Sequence, residues 1–232
     1  MIDKNEEYVM NKELLKEALI KYIVGVILVG VLLFLPAGSL KWRDGWIFMA
    51  VLFVPMLLAG IVMYTKAPDL LRRRLNAKEK EAQQKDVIGM SGLMFLAAFI
   101  VAGLNYRFSW IRFPDFVRIA GIVIFLLSYL MFAEVLRENE YLSRTIEVQE
   151  GQKVVDTGLY GMVRHPMYSA TVLLFLSMPL IMNSPISFGI MLLYIPLIVK
   201  RILNEEEVLE KGLQGYKEYK EKVKYRILPF IW

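Results

Sequence analysis

We predict an all-α integral membrane protein with about six transmembrane helices (five to six), and three observations support this fold class. Hydrophobic residues make up 56% of the 232 residues, and the mean hydropathy is +0.45, well above the values of soluble domains of this length. Apolar stretches recur along the whole chain, and the polar segments between them are rich in Lys and Arg. Such alternation is typical of a chain that crosses a bilayer repeatedly.

Four apolar stretches in the first part of the chain have about the ~20 residues that a ~30 Å hydrocarbon core requires. Two further stretches are shorter, and only Asn183-Ser184-Pro185 separates them. Turn residues and a proline stop one helix and start the next, so these two are predicted to form a tight helical hairpin, of which the first limb is short or tilted. The six stretches are 18–35, 45–64, 87–104, 117–136, 169–182 and 186–203.

This pattern divides the chain into two parts. Residues 1–136 are predicted to hold the first four spans, and residues 137–232 a loop, the hairpin and an amphipathic tail. Within the loop, alternating residues 145–149, the turn Glu150-Gly151 and Val154-Val155 favour a small hairpin or two extended strands. In the tail, apolar residues at helical spacing predict an interfacial helix, with Tyr216 and Tyr219 packing on it or forming a lid over the site.

The placement of Lys and Arg predicts the orientation. With the N-terminus inside, the inner segments hold 23 of the 28 basic residues, so both termini and the Arg164 segment are expected in the cytoplasm. The net charge of +5 is then a feature of the inner membrane surface facing anionic headgroups. We therefore expect the bilayer as a partner and no nucleic acid.

Two compositional facts exclude several chemistries. The chain has no cysteine and one histidine, which excludes disulfides, thiolate zinc sites, cysteine nucleophiles and multi-histidine metal sites. We therefore expect no metal. No series of ionisable residues runs through the middle of the spans, and the halves show no repeat, which disfavours a transporter or channel.

The most distinctive motif is Arg164-His165-Pro166-Met167-Tyr168, at the start of the fifth stretch. Proline suits the first turn of a helix, where its missing N–H would be unpaired in any case. Arg164 and His165 then lie at a helix N-terminus, where free N–H groups and the helix dipole favour anionic or polar ligand groups. Helix capping and anchoring among headgroups are the alternative roles for these two residues.

A second motif, Glu205-Glu206, follows the sixth stretch. Because a three-residue turn makes the two limbs of the hairpin antiparallel, the glutamates are expected to converge with Arg164, His165 and Tyr168. Such a site suits a zwitterionic, polyhydroxylated ligand. A carboxylate binds ribose hydroxyls or an ammonium group, and an arginine holds a carboxylate.

These motifs make the chain similar to the isoprenylcysteine carboxyl methyltransferase family and, more broadly, to the membrane methyltransferases that include phospholipid N-methyltransferases. The resemblance covers residues 158–229 and extends only in topology to the first half. The residues that carry it are Arg164, His165, Pro166, Tyr168, Glu205, Glu206, Gly215, Tyr216, Tyr219, Arg226 and Pro229.

The resemblance implies an S-adenosylmethionine-dependent methyltransferase, with the cofactor held between the loop, the hairpin and the amphipathic tail at the cytoplasmic face. The acceptor is expected to be a lipophilic small molecule or a lipidated molecule that enters from the bilayer. The implied catalytic residues are Arg164, which contacts the acceptor or fixes the loop, and Glu206. The implied cofactor-binding residues are Tyr160, His165, Pro166, Tyr168, Glu205 and Glu206.

Carboxylate O-methylation of the isoprenylcysteine type is favoured, because an ionised carboxylate needs no general base, whereas an amine must first lose a proton. Three alternatives remain open. They are phospholipid N-methylation, an NADPH-dependent reductase with sterol-reductase-like architecture, and a non-catalytic membrane scaffold, which is the least favoured.

Overall fold

The structure is a computed structural model that describes residues 4–75, 82–142 and 148–232, with side chains described in 12–75, 85–142 and 148–232. Within these ranges the regular structure is helical, and no strand is present. The helices are α1 (Lys4–Ala37), α2 (Arg43–Lys66), α3 (Pro68–Leu75), α4 (Ala82–Phe108), α5 (Asp115–Glu138), a 3₁₀ turn (Gly158–Gly161), α6 (Pro166–Ile181), α7 (Pro185–Met191), α8 (Tyr194–Gly212) and α9 (Tyr216–Lys222).

Across the described residues, five segments are long and apolar enough to cross a membrane. The α6 helix has 16 residues, so it is about 24 Å long and does not span a ~30 Å hydrocarbon core when upright. The all-α, multi-pass prediction is confirmed, with five candidate spans and one shorter apolar helix. The five segments are Lys12–Ala37, Arg43–Lys66, Lys85–Phe108, Asp115–Glu138 and Pro185–Gly212.

The last span differs from the sequence prediction in two ways. It is interrupted at Leu192 and Leu193, between α7 and α8. Pro196 lies in the first turn of α8, where its ring clashes with a helical carbonyl four residues earlier, which disfavours a regular helix through Leu192. In addition, α8 continues to Gly212, so Glu205 and Glu206 lie within the helix and not after it.

Two close helix contacts hold the bundle together. A Cβ atom at Gly121 of α5 would lie 2.8 Å from Cβ of Leu180 in α6, and one at Gly103 of α4 would lie 2.5 Å from the Leu33 carbonyl oxygen in α1. Only glycine allows these backbones to approach so closely. The largest fully buried side chains of the core include Phe48, Phe125, Leu33, Ile181 and Ile198.

The turn between α6 and α7 is fixed at the end of the bundle that is distant from Arg164. Asn183 adopts a φ of 56°, and its Oδ1 accepts a hydrogen bond from Phe113 N at 2.6 Å. Asn105 Nδ2 donates to the carbonyl oxygen of Ile111 at 2.9 Å. These bonds join the α6–α7 turn to the α4–α5 connection. They hold α6 against α7 and α8, so the start of α6 meets the second half of α8 at the opposite end.

The loop before α6 forms the predicted turn but no strand in the part that is described, residues 148–157. Gln152 N donates to Gln149 O at 3.1 Å, and Gly151 has a φ of 72°. Residues 145–147 of the predicted alternation lie outside the described residues. Val148 and Val154 pack instead against a tail cluster of Leu209, Leu213, Tyr216, Tyr219 and Val223. The valines are thus partly buried without a strand partner.

Candidate functional site

The site begins where the start of α6 pairs with the tail that follows α9. Arg164 N donates to Tyr225 O at 2.9 Å, and His165 N donates to Arg226 O at 2.8 Å. Pro166 is the first residue of α6 and His165 is its N-cap, so the predicted helix start is confirmed. The tail thereby satisfies backbone N–H groups at an end of the helix that leaves them without an intrahelical partner.

Glu206 is the buried centre of this region, with 3% of its surface exposed. Its Oε1 accepts hydrogen bonds from Arg164 Nε at 2.8 Å and lies 3.2 Å from His165 Nε2. Its Oε2 accepts from Arg226 Nε at 3.1 Å and lies 3.7 Å from Lys220 Nζ. One carboxylate on α8 therefore joins the start of α6, the α9 helix and the tail. Buried ionised groups require such compensation.

Arg164 completes the same connection with its remaining donors. The side chain is 4% exposed, and its Nη1 donates to the carbonyl oxygens of Val223 at 2.7 Å and Lys224 at 2.8 Å. A planar guanidinium can donate hydrogen bonds to a carboxylate and to two carbonyl oxygens at the same time, which an ammonium group cannot do with the same geometry. Arg164 thus fixes the tail against α8.

Glu205 lies on a more accessible face of α8, and its side chain is 22% exposed. Tyr168 Oη donates to Glu205 Oε2 and accepts from Arg201 Nε at 2.9 Å. His165 Nδ1 lies 3.8 Å from Glu205 Oε1, and the His165 and Tyr168 rings stack with centroids 5.7 Å apart. These four side chains form a polar surface with both signs of charge.

Tyr160 is positioned by the 3₁₀ turn. Gly158 has a φ of 50°, and a Cβ atom there would overlap the Glu138 carboxylate, 1.4 Å from Oε1, so the turn requires glycine. Glu138 Oε2 accepts from Leu159 N at 3.0 Å, and Tyr160 Oη accepts from Asn139 Nδ2 at 3.0 Å. Burial is the main cause that raises the pKa of Tyr160, so the phenol is neutral at physiological pH.

These elements surround a pocket that contains about 810 Å³ of space, part of it open to solvent. The loop, the start of α6, the middle of α8 and the α9 segment all contribute to its wall. The lining residues are Asn139, Tyr141, Leu142, Gln152, Lys153, Val154, Val155, Tyr160, Arg164, His165, Met167, Tyr168, Arg201, Glu205, Leu209, Leu213, Tyr216 and Tyr219.

Most of the residues singled out in the sequence lie together. Five of the seven line the pocket, whereas Pro166 and Glu206 lie behind it. Sequence reasoning missed Arg201, Gln152 and Lys153 as lining residues. Arg201 precedes Glu205 by four residues on a helix, which places both on one face and was a usable signal. The loop residues carried no such signal, because their position depends on long-range packing.

The fold and the pocket define a multi-pass membrane protein with a polar site at one end of its helical bundle. Residues 116–215 match the family model described as phospholipid methyltransferase. This segment contains the Arg164 motif, the helical hairpin and the glutamate pair, and the match confirms the predicted resemblance to the membrane methyltransferases.

Two further proteins are similar to the chain. A segment is 31% identical over 91 residues to the mouse Delta(14)-sterol reductase TM7SF2, covering 38% of this chain and 22% of the reductase. The chain thus matches less than a quarter of that relative's length. The structure of the eukaryotic intramembrane Ras methyltransferase ICMT aligns with a TM-score of 0.47 and 15% identity, covering 92% of this chain and 86% of that one.

Proposed function

We propose that the chain is an S-adenosylmethionine-dependent methyltransferase that transfers a methyl group to a lipophilic acceptor dissolved in the membrane. The observation that carries the proposal is the polar pocket of Glu205, Tyr168, His165 and Arg201, which is built within the segment that matches the methyltransferase family. Methyl transfer requires alignment of the two reactants more than it requires a catalytic acid or base.

The donor set of the pocket fits S-adenosylmethionine. The partly exposed Glu205 carboxylate suits an ammonium group or ribose hydroxyls, and Arg201 and Lys153 suit a carboxylate. Aromatic faces, such as those of Tyr160 and Tyr168, attract a cationic sulfonium. When bound, the cofactor supplies an electrophilic methyl group.

The predicted catalytic roles of Arg164 and Glu206 are proposed here as positioning roles. Arg164 Nε and Nη1 already bind Glu206 and two tail carbonyls, and Glu206 lies behind the pocket wall. Both residues hold His165 at the pocket and keep the tail in place. Their contribution to turnover then comes from geometry, which matters because a displacement of about 1 Å can cost a hundredfold in rate.

We infer that the acceptor group is a carboxylate. The chain has one histidine, His165, and its Nε2 lies 3.2 Å from Glu206. This nitrogen is therefore paired with the buried carboxylate and does not act as a free base. An ionised carboxylate needs no such base, whereas an ammonium group does. The acceptor reaches the site from the bilayer. The site faces the cytoplasm, in agreement with the concentration of basic residues at this end of the helical bundle.

A nicotinamide-dependent reductase is the second candidate, because of the 31% identity with the mouse sterol reductase over 91 residues. Its dinucleotide carries phosphates, for which the pocket offers Arg201 and Lys153 but also the negative Glu205. The presence of a carboxylate in the pocket wall favours the zwitterionic methyl donor over the dinucleotide.

Calorimetric titration of the detergent-purified chain with S-adenosylmethionine, and separately with NADPH, tests the proposal. We expect saturable binding of S-adenosylmethionine and none of NADPH. A Glu205→Gln variant should bind the cofactor more weakly, since the amide loses the ionic part of the interaction. Binding of NADPH alone would assign the pocket to the reductase reaction, and binding of neither ligand would refute both enzymatic functions.

A further inference from the structure

Tyr216 occupies an unusual position at the start of α9. The helix follows Gly215, which has a φ of 84° and serves as N-cap. Tyr216 is 4% exposed and packs in the tail cluster defined above, with its ring 5.8 Å from that of Tyr219. It also lines the pocket, so its ring belongs to the protein interior and to the wall of the site.

The hydroxyl group of Tyr216 has no hydrogen-bond partner among the described residues and almost no contact with solvent. The other four tyrosines of the described pocket wall all have one. Tyr141 Oη donates to Gly151 O at 3.1 Å, and Tyr219 Oη donates to Tyr160 O at 2.7 Å. The hydroxyls of Tyr160 and Tyr168 bind Asn139 and Glu205, respectively.

An unpaired buried hydroxyl is unfavourable, and such groups in native proteins require an explanation. Burial and the nearby carboxylates of Glu206 and Glu205 raise the pKa of Tyr216, so the group keeps its proton. It is therefore a neutral donor on a residue of the pocket wall. A phenylalanine would fill the same apolar cluster without the cost of the hydroxyl.

We propose that Tyr216 is a further cofactor-binding residue, whose hydroxyl donates a hydrogen bond to an acceptor atom of S-adenosylmethionine. This inference rests on the proposed function and deepens it, because it makes α9 part of the cofactor site. The acceptor atom is an oxygen or nitrogen of the cofactor, either on the amino-acid part or on the nucleoside. The hydroxyl that lacks a partner within the protein then gains one from the ligand.

The substitutions Tyr216→Phe and Tyr219→Phe form a matched pair for the test. Each removes one oxygen atom from one of two neighbouring rings in the same cluster, but Tyr219 Oη has a partner within the protein. Calorimetric titration with S-adenosylmethionine and thermal unfolding without ligand are measured for the full chain and both variants. We expect Tyr216→Phe to weaken binding about fivefold to tenfold and to leave the ligand-free unfolding temperature equal or higher.

For Tyr219→Phe we expect a lower unfolding temperature without ligand and a smaller loss of affinity. Equal affinity of the parent and Tyr216→Phe, with the parent still binding, would overturn the inference and leave the proposed function intact. A drop in ligand-free stability for Tyr216→Phe as large as that for Tyr219→Phe would also overturn it, because the hydroxyl would then have a partner within the protein. Failure of the parent to bind S-adenosylmethionine would refute the proposed function itself, together with this role.

Discussion

Glu205 and Glu206 are neighbours in sequence with the same side chain, yet their surroundings differ. The Glu206 side chain is 4% exposed and bound by cations from three parts of the chain, whereas that of Glu205 is 22% exposed and lines the pocket. Successive residues on a helix point about 100° apart, so one glutamate faces the tail and the other the ligand space. We infer that Glu206 holds the elements of the site together and that Glu205 contacts the ligand.

This difference gives a prediction for the glutamine variants. Glu206→Gln leaves Arg164, Arg226 and Lys220 without their shared negative charge in a buried place, and we expect a loss of about 3 kcal/mol or more in unfolding free energy. Glu205→Gln keeps a hydrogen-bonding group for Tyr168, and we expect a loss below about 1.5 kcal/mol. Thermal and denaturant unfolding of the detergent-purified variants measures both. Equal losses would contradict the assignment.

Arg164→Lys tests the hydrogen bonds that the Arg164 guanidinium group donates to Glu206 and to the tail. An ammonium group keeps the charge but cannot bind Glu206 and the carbonyls of Val223 and Lys224 in the same fork geometry. We expect faster proteolysis of the tail after α9, and similar fractional losses in cofactor affinity and turnover. Lys211→Arg, on an exposed surface of α8, is the matched control and should change neither. A loss of turnover with unchanged cofactor affinity would instead favour contact of Arg164 with the acceptor.

The residues of the site were predictable to different degrees. The Arg164 motif and the glutamate pair were found from the sequence, since a short turn between two apolar helices brings their ends together. Arg226 was identified only as part of the family resemblance. Its contact with Glu206 was not predicted, because it depends on backbone bonds between residues about 60 positions apart. The unpaired hydroxyl of Tyr216 was not predictable either. Sequence spacing indicates that a tyrosine is buried, but it does not show whether its hydroxyl has a hydrogen-bond partner.

At the scale of helices, the close contact between α5 and α6 positions the site. A Cβ at Gly121 would lie 2.8 Å from Leu180 Cβ and 3.2 Å from Ile181 N. Because backbone atoms cannot yield as a flexible side chain does, Gly121→Ala should lower the unfolding free energy by about 1–3 kcal/mol. We expect this as a lower unfolding temperature in detergent.

Gly60→Ala in α2 is the matched control, since no atom lies within 4 Å of its added Cβ. Alanine favours helix by up to about 1 kcal/mol over glycine, so this variant should be as stable as the parent or more stable. If Gly121→Ala proved as stable as Gly60→Ala, the close packing of α5 on α6 would be refuted.

The helices themselves followed from apolar length, but two of their features did not. The α3 helix (Pro68–Leu75) lies in a polar segment between two apolar stretches, and its sequence is too polar for a span, so apolar length did not predict it. The break at Leu192 and Leu193 was missed, because an apolar run gives no sign of interruption unless the effect of Pro196 on the preceding turn is considered. Apolar length therefore predicts how many helices exist better than where each one ends.

The whole molecule has a polar end that holds the pocket and a second end that holds the α6–α7 turn. The pocket is lined by the loop before α6, by α8 and by the α9 segment, whereas Asn183 and Phe113 meet at the other end. Residue 150 lies in the loop before α6, beside the pocket, and residue 40 lies between α1 and α2. We expect these two positions on opposite sides of the bilayer. The excess of Lys and Arg around the pocket end predicts that this end faces the cytoplasm.

The absence of cysteine from the chain makes this orientation directly measurable by labelling single introduced thiols. Glu150 lies in an exposed turn beside the pocket, and Leu40, which is 70% exposed, lies between α1 and α2. The two test variants are Glu150→Cys and Leu40→Cys. In intact cells, a membrane-impermeant maleimide should label the thiol at position 40 and not the one at position 150. After permeabilisation both should react, which controls for accessibility. The reversed pattern would place the pocket outside, away from cytoplasmic S-adenosylmethionine, and would contradict the proposed methyltransferase as well as its orientation.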